Sequence, residues 1–166
     1  PDYVLVPRER LNAFADAYGT AVRRMYPRIA DNPDYSAIIN PRQLARLEHL
    51  LQDARGKGAQ VTDLYAHETR QGRRLPPHVL TKVNDTMQVM QDEIFGPLLP
   101  LVPYDTLDDA LAYINQRPRP LALYYFGYDR GEQQQVLQHS HSGGVCLNDT
   151  LLHVAQDDLP FGGIGP

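Results

Sequence analysis

Apolar positions along the 166-residue chain fall into short continuous runs separated by amphipathic stretches. Tyr3-Val4-Leu5-Val6 is an apolar run of strand length, closed by Pro7. Leu11, Phe14, Ala15, Tyr18, Ala21, Val22 and Met25 then recur at three- and four-residue spacing, which predicts a helix ended by Pro27. Asn32-Pro33-Asp34 is turn chemistry, and residues 35–40 read as a short connector. Asn40 caps a second helix with Pro41 in its first turn. Leu44, Leu47, Leu50 and Leu51 share one face of it, Arg42, Arg46, Glu48 and Asp53 the other, and Gly56-Lys57-Gly58 ends it. Residues 59–72 predict a strand and a hairpin-like loop, and residues 76–83 another strand.

Residues 87–94 predict a short helix, followed by a Gly96-Pro97 corner. The apolar stretch 98–104 is extended, and its prolines place it at a sheet edge or break it in two. Asp105-Thr106 caps a helix over 107–116. Residues 121–126 form the most strand-like run, residues 131–139 a further amphipathic helix, and residues 143–148 a final short strand. Strands alternating with helices of about ten residues predict a single α/β domain, a largely parallel sheet flanked by helices.

Charge and composition remove several function classes. Sixteen basic and twenty acidic residues give a net charge of -4 with no long run of either sign. That is not the footprint of a nucleic-acid binder or of a polybasic membrane-surface protein, so neither nucleic acid nor membrane is expected as a partner. No apolar stretch approaches the roughly 18 residues of a membrane span. The one cysteine, Cys146, excludes an internal disulfide framework and fits a reducing, cytoplasmic compartment. The chain starts without Met inside a strand and stops in a glycine-rich turn, as expected of a piece of a longer polypeptide.

Residues suited to chemistry are few. The histidines (His49, His67, His78, His139, His141, His153) lack metal-ligand spacing, and the expectation is solvated side chains and no metal. Cys146, between Val145 and Leu147, is expected to be a small buried hydrophobe and not a thiolate nucleophile. No phosphate-cradling glycine motif is present. Gln91-Asp92-Glu93-Ile94-Phe95-Gly96-Pro97 places an acid, an aromatic and a Gly-Pro corner together, which taken alone is a helix end and turn.

Taken in order, several stretches are similar to motifs of the aldehyde dehydrogenases, in their C-terminal half. They are Asp92-Glu93-Ile94-Phe95-Gly96-Pro97-Leu98-Leu99-Pro100, the helix at 108–115, Pro120-Leu121-Ala122-Leu123-Tyr124-Tyr125-Phe126, Ser142-Gly143-Gly144-Val145-Cys146-Leu147-Asn148-Asp149 and Leu159-Pro160-Phe161-Gly162-Gly163-Ile164-Gly165. The resemblance covers essentially the whole chain. Residues 32–40 and 120–124 resemble the class-three branch, and residues 148–156 the bacterial coniferyl aldehyde dehydrogenases.

The resemblance implies oxidation of an aldehyde to the acid, here an aromatic, coniferyl-type one, through a cysteine thiohemiacetal and hydride transfer to NAD or NADP. The nucleophilic cysteine is then expected a few residues before Pro1-Asp2-Tyr3-Val4-Leu5, with the glutamate general base and the Rossmann cofactor domain further upstream. No catalytic residue remains in this chain, which alone would be inactive and would bind cofactor only with its upstream domain. Glu93 is implied to hold the nicotinamide ribose hydroxyls and Phe95 to lie against nicotinamide and ribose. Phe161, His153 and Ala155 are implied to line the aldehyde's path, and a dimer or tetramer is implied for the full-length protein. The rival expectation is a stand-alone, non-enzymatic α/β module for protein–protein contact.

Overall fold

A computed structural model describes residues 2–159, 162 and 163, without the side chains of Val154 and Ala155. The backbone gathers into two compact units, Pro1–Pro103 and Tyr104–Pro166.

In the first unit a four-stranded sheet has the order β1-β4-β3-β2, with β1 at Val4–Pro7, β2 at Gln60–Asp63, β3 at His78–Thr81 and β4 at Leu98–Tyr104. β3 runs parallel to β4 and antiparallel to β2. The long helices are α1, Leu11–Met25, and α2, Pro41–Gly56. Alternation along the inner strands sorts the core into two layers. Leu80 and Leu98 pack with Leu44, Leu47, Leu50 and Leu51 of α2. Val79, Leu99 and Leu101 pack with Val6, Leu64, Tyr65 and Val22 of α1. Successive residues of a strand point to opposite faces, so strands apolar at every position are covered on both sides. α2 starts as its sequence requires, the Asn40 side chain accepting from the Gln43 N–H at 2.9 Å.

The second unit carries β5 (Ala122–Tyr125) and β6 (Gly144–Leu147), paired in parallel, with helices α3 (Leu107–Asn115) and α4 (Arg130–His139). Leu111, Leu123 and Val136 form its small core. Thr106 and Asp109 close a reciprocal capping box on α3.

The chain is α/β as expected, with a mixed sheet in the first unit, and three local expectations give way. The stretch 98–104 is a single strand, β4, inside the sheet and not at its edge. It holds two prolines, Pro100 and Pro103. The His78 N–H bonds to the Pro97 carbonyl, a register in which the parallel ladder takes its N–H donor on β4 from Leu99 and not from Pro100, and Pro103 lies beyond the last paired rung, Leu80↔Pro100. Residues 87–94 form only a 3₁₀ turn, Gln88–Met90. Met87, Val89 and Ile94 all bury against α2, whereas an α-helix would set the first two roughly 200° apart. His78 is not solvated but 4% exposed. Its Nδ1 lies 2.7 Å from the Pro76 carbonyl, and burial pushes its pKa down while the Asp63 carboxylate opposes the shift.

Candidate functional site

The turn at 93–96 is built from three directions. The guanidinium of Arg46, on α2, donates to the Glu93 carbonyl at 3.0 Å and to the Ile94 carbonyl. It is held in turn by Nε donating to Gln43 Oε1 at 2.8 Å. From the start of the chain, Asp2 Oδ1 accepts the Ile94 N–H at 2.9 Å. From below, Leu47 fills the space beside Gly96, where a Cβ would come within 2.5 Å of its side chain. The Ile94 side chain is 1% exposed and anchors the turn in the α2 core.

These holds set the outward residues. Phe95 has φ 46°, in the left-handed region that a residue with a Cβ seldom adopts, and its ring is 84% exposed. Glu93 is exposed as well, two residues away. The turn therefore presents a carboxylate with two acceptor oxygens and a flat apolar face, on a backbone that is itself pinned. Pro97 then passes the chain into the sheet, its carbonyl accepting the His78 N–H at 2.9 Å.

A second cluster lies in the other unit. Cys146, expected to be buried in β6, is only half-buried, and its Sγ stands 3.1 Å from Nδ1 of His153. His153 comes from a 3₁₀ turn, Leu152–Ala155, and its ring meets Tyr124 edge-on at 5.9 Å. The imidazole also sits over Gly144, where a Cβ would lie 2.6 Å from its Cδ2. The core expectation for Cys146 fails because the thiol side of β6 faces this loop and not the Leu111–Leu123–Val136 cluster. His153 is thus neither a solvated side chain nor one isolated from other chemistry.

Of the residues singled out in the sequence, Glu93 and Phe95 share one turn and His153 joins Cys146. Phe161 and the Ala155 side chain lie outside the described residues. Among the described residues no three His, Cys, Asp or Glu side chains converge as metal ligands would. Sequence reasoning gave no role to Asp2 and placed Arg46 on the solvent face of α2, since no spacing rule links either to a turn so far along the chain. The one available sign was that Arg46 directly precedes Leu47, the core residue under Gly96.

Residues 1–166 match the Aldehyde dehydrogenase family. The chain is 64% identical over its full length to a probable coniferyl aldehyde dehydrogenase of Pseudomonas aeruginosa, covering 34% of that protein. It is 45% identical over 99% of its length to the coniferyl aldehyde dehydrogenase of a Pseudomonas species, covering 35%. It therefore spans about a third of the curated relatives it matches. Among solved structures, the substrate-bound state of Staphylococcus aureus AldH superposes with a TM-score of 0.89 at 38% identity, over 99% of this chain and 35% of that one. A 3,6-anhydro-L-galactose dehydrogenase in complex with NAP superposes at 0.78 and 25% identity, over 90% of this chain and 33% of that one. The chain belongs to the aldehyde dehydrogenase family.

Proposed function

We propose that this chain is the part of an NAD(P)-dependent aldehyde dehydrogenase that completes the cofactor grip and lines the aldehyde's path. The aldehyde is aromatic, of the coniferyl type, a reading supported by the names of the relatives most similar in sequence. The observation that carries the proposal is the turn itself, an exposed Glu93 carboxylate and an exposed Phe95 ring on a backbone fixed by Arg46, Asp2 and Leu47. Those two surfaces suit what a nicotinamide riboside presents, a vicinal diol and a flat ring.

When bound, the nicotinamide supplies the hydride acceptor. Glu93 accepts from the ribose hydroxyls, and Phe95 limits where the ring can sit, so that orientation is fixed before reaction. The nucleophilic cysteine and the glutamate base belong to the segment preceding Pro1. The 166-residue chain by itself turns over no aldehyde, and the full protein works as a dimer or tetramer. The loop bearing His153 and Ala155, with Phe161 beyond it, faces the aldehyde.

In the full-length protein, Glu93→Gln and Phe95→Ala are expected to slow single-turnover NAD(P)H formation by at least about tenfold. Unchanged formation in both variants overturns the assignment. For the isolated chain, aldehyde oxidation that disappears in Cys146→Ser would overturn the placing of the nucleophile.

A further inference from the structure

Two successive peptide groups in the cofactor turn are held by side chains from elsewhere in the fold. The peptide between Glu93 and Ile94 is gripped at both ends. Its N–H is given to the Asp2 carboxylate at 2.9 Å, and its carbonyl accepts from Arg46 at 3.0 Å. An anion at the N–H and a cation at the C=O oppose the two poles of one peptide dipole, and both bonds are charge-assisted. The next carbonyl, that of Ile94, is held by the same guanidinium. These planes set the direction in which Glu93 leaves the backbone and the torsion that carries Phe95 to φ 46°. A left-handed aromatic residue persists only where its surroundings over-determine it.

We infer that Arg46 and Asp2 are positioning residues of the reaction, acting through the peptide planes at 93–95 to aim the Glu93 carboxylate and the Phe95 ring. The inference rests on the cofactor-holding role proposed above for those two side chains. Neither residue touches the cofactor in this scheme. Arg46 reads the turn from the α2 side, while Asp2 ties it to the segment that begins this chain, the stretch in which the nucleophile is placed just upstream. One carboxylate thus couples the nucleophile's strand to the cofactor grip, so that the two reacting partners share a reference point.

The test uses the full-length enzyme and single-turnover NAD(P)H formation. Arg46→Met and Asp2→Ala are each expected to slow that step about tenfold to a hundredfold, the range expected when a reacting group is misplaced by about 1 Å. The KM for aldehyde stays near its original value. Asp2→Asn, whose amide oxygen still accepts from the Ile94 N–H, recovers most of the rate lost in Asp2→Ala. Because Arg46 acts in part through Glu93, combining Arg46→Met with Glu93→Gln costs clearly less than the product of the two single losses. Losses that multiply in the double variant, or an Asp2→Asn as slow as Asp2→Ala, overturn the inference. If Glu93→Gln slows the step while Arg46→Met and Asp2→Ala do not, the inference fails and the cofactor role stands. If Glu93→Gln and Phe95→Ala both change nothing, the cofactor role fails and takes the inference with it. Should Arg46→Met not fold, the Asp2→Ala and Asp2→Asn pair decides the question.

Discussion

At Glu93 and Phe95 the backbone is clamped and the side chains point away free, whereas at Cys146 and His153 the side chains meet each other. The first arrangement draws its holds from Asp2 and from Arg46 and Leu47 of α2, all distant in sequence. The second joins residues seven apart, on a strand and the turn that follows it. A remote clamp suits a task in which a ligand must find its partners in place before it arrives. A local contact closes a short loop, so it costs little to form and little to lose. The difference separates parts that must be aimed from parts that need only be present.

That contrast makes the clamped turn sensitive to what lies beneath it. Leu47 has no exposed surface, and Leu47→Ala is expected to cost about 2–5 kcal/mol through cavity formation. Thermal or urea unfolding measures it. A loss below about 1 kcal/mol would mean that the turn does not depend on its seat on α2.

The next effect is on pH. His78 donates its backbone N–H to Pro97, at the exit of the turn, and its ring is buried with a lowered pKa. Above the ordinary histidine value of 6.5 the ring is neutral in folded and unfolded chains alike. As pH falls below it, the unfolded chain takes up the proton first, so stability is lost from about pH 6.5 downward. His78→Gln is expected to flatten the slope of melting temperature between about pH 7 and pH 5. An equally steep slope in the variant assigns the effect to other groups.

Smaller still is the gain expected from Phe95→Gly, about 1 kcal/mol at most, as a residue without a Cβ relieves the left-handed φ. Stability should rise while single-turnover rate falls. A variant no more stable than the original would mean that the conformation carries no strain. At the bottom of the scale, Gly144→Ala should push the imidazole of His153 off its seat and change stability by no more than about 0.5 kcal/mol. NMR of the His153 ring protons reads this directly, since loss of the Tyr124 edge contact moves them. Unmoved resonances would show that the imidazole does not depend on Gly144.

Much of the fold was legible because its signals are local. Proline and asparagine mark the start of α2, Thr106 and Asp109 the start of α3, and continuous apolar runs mark β1, β3 and β5. The 3₁₀ turn at 88–90 departs from the predicted helix because burial against α2 overrides the local pattern there. Pro100 signals an edge in the sequence because the side its backbone faces cannot be seen from its own residues. Glu93 and Phe95 were legible from motif resemblance, but their supports were not. An arginine on the polar face of a helix gives no sign of the carbonyls it will meet 47 and 48 residues later. Cys146 misled for a related reason, since two apolar neighbours say nothing about which loop returns over the strand.

Gly143 and Gly162 approach so closely that a Cβ on either would overlap the other's backbone. The segment between them, with β6, the Asn148 side chain bridging to the Gly127 backbone, and the turn carrying His153, leaves and returns at one point. Such a loop behaves as a cassette. Lengthening it costs only about 0.6 kcal/mol of closure entropy per doubling, and its base stays put. Insertions after Leu147 can then change the loop's length while the pairing of β5 with β6 and the contact that closes the loop stay as they are.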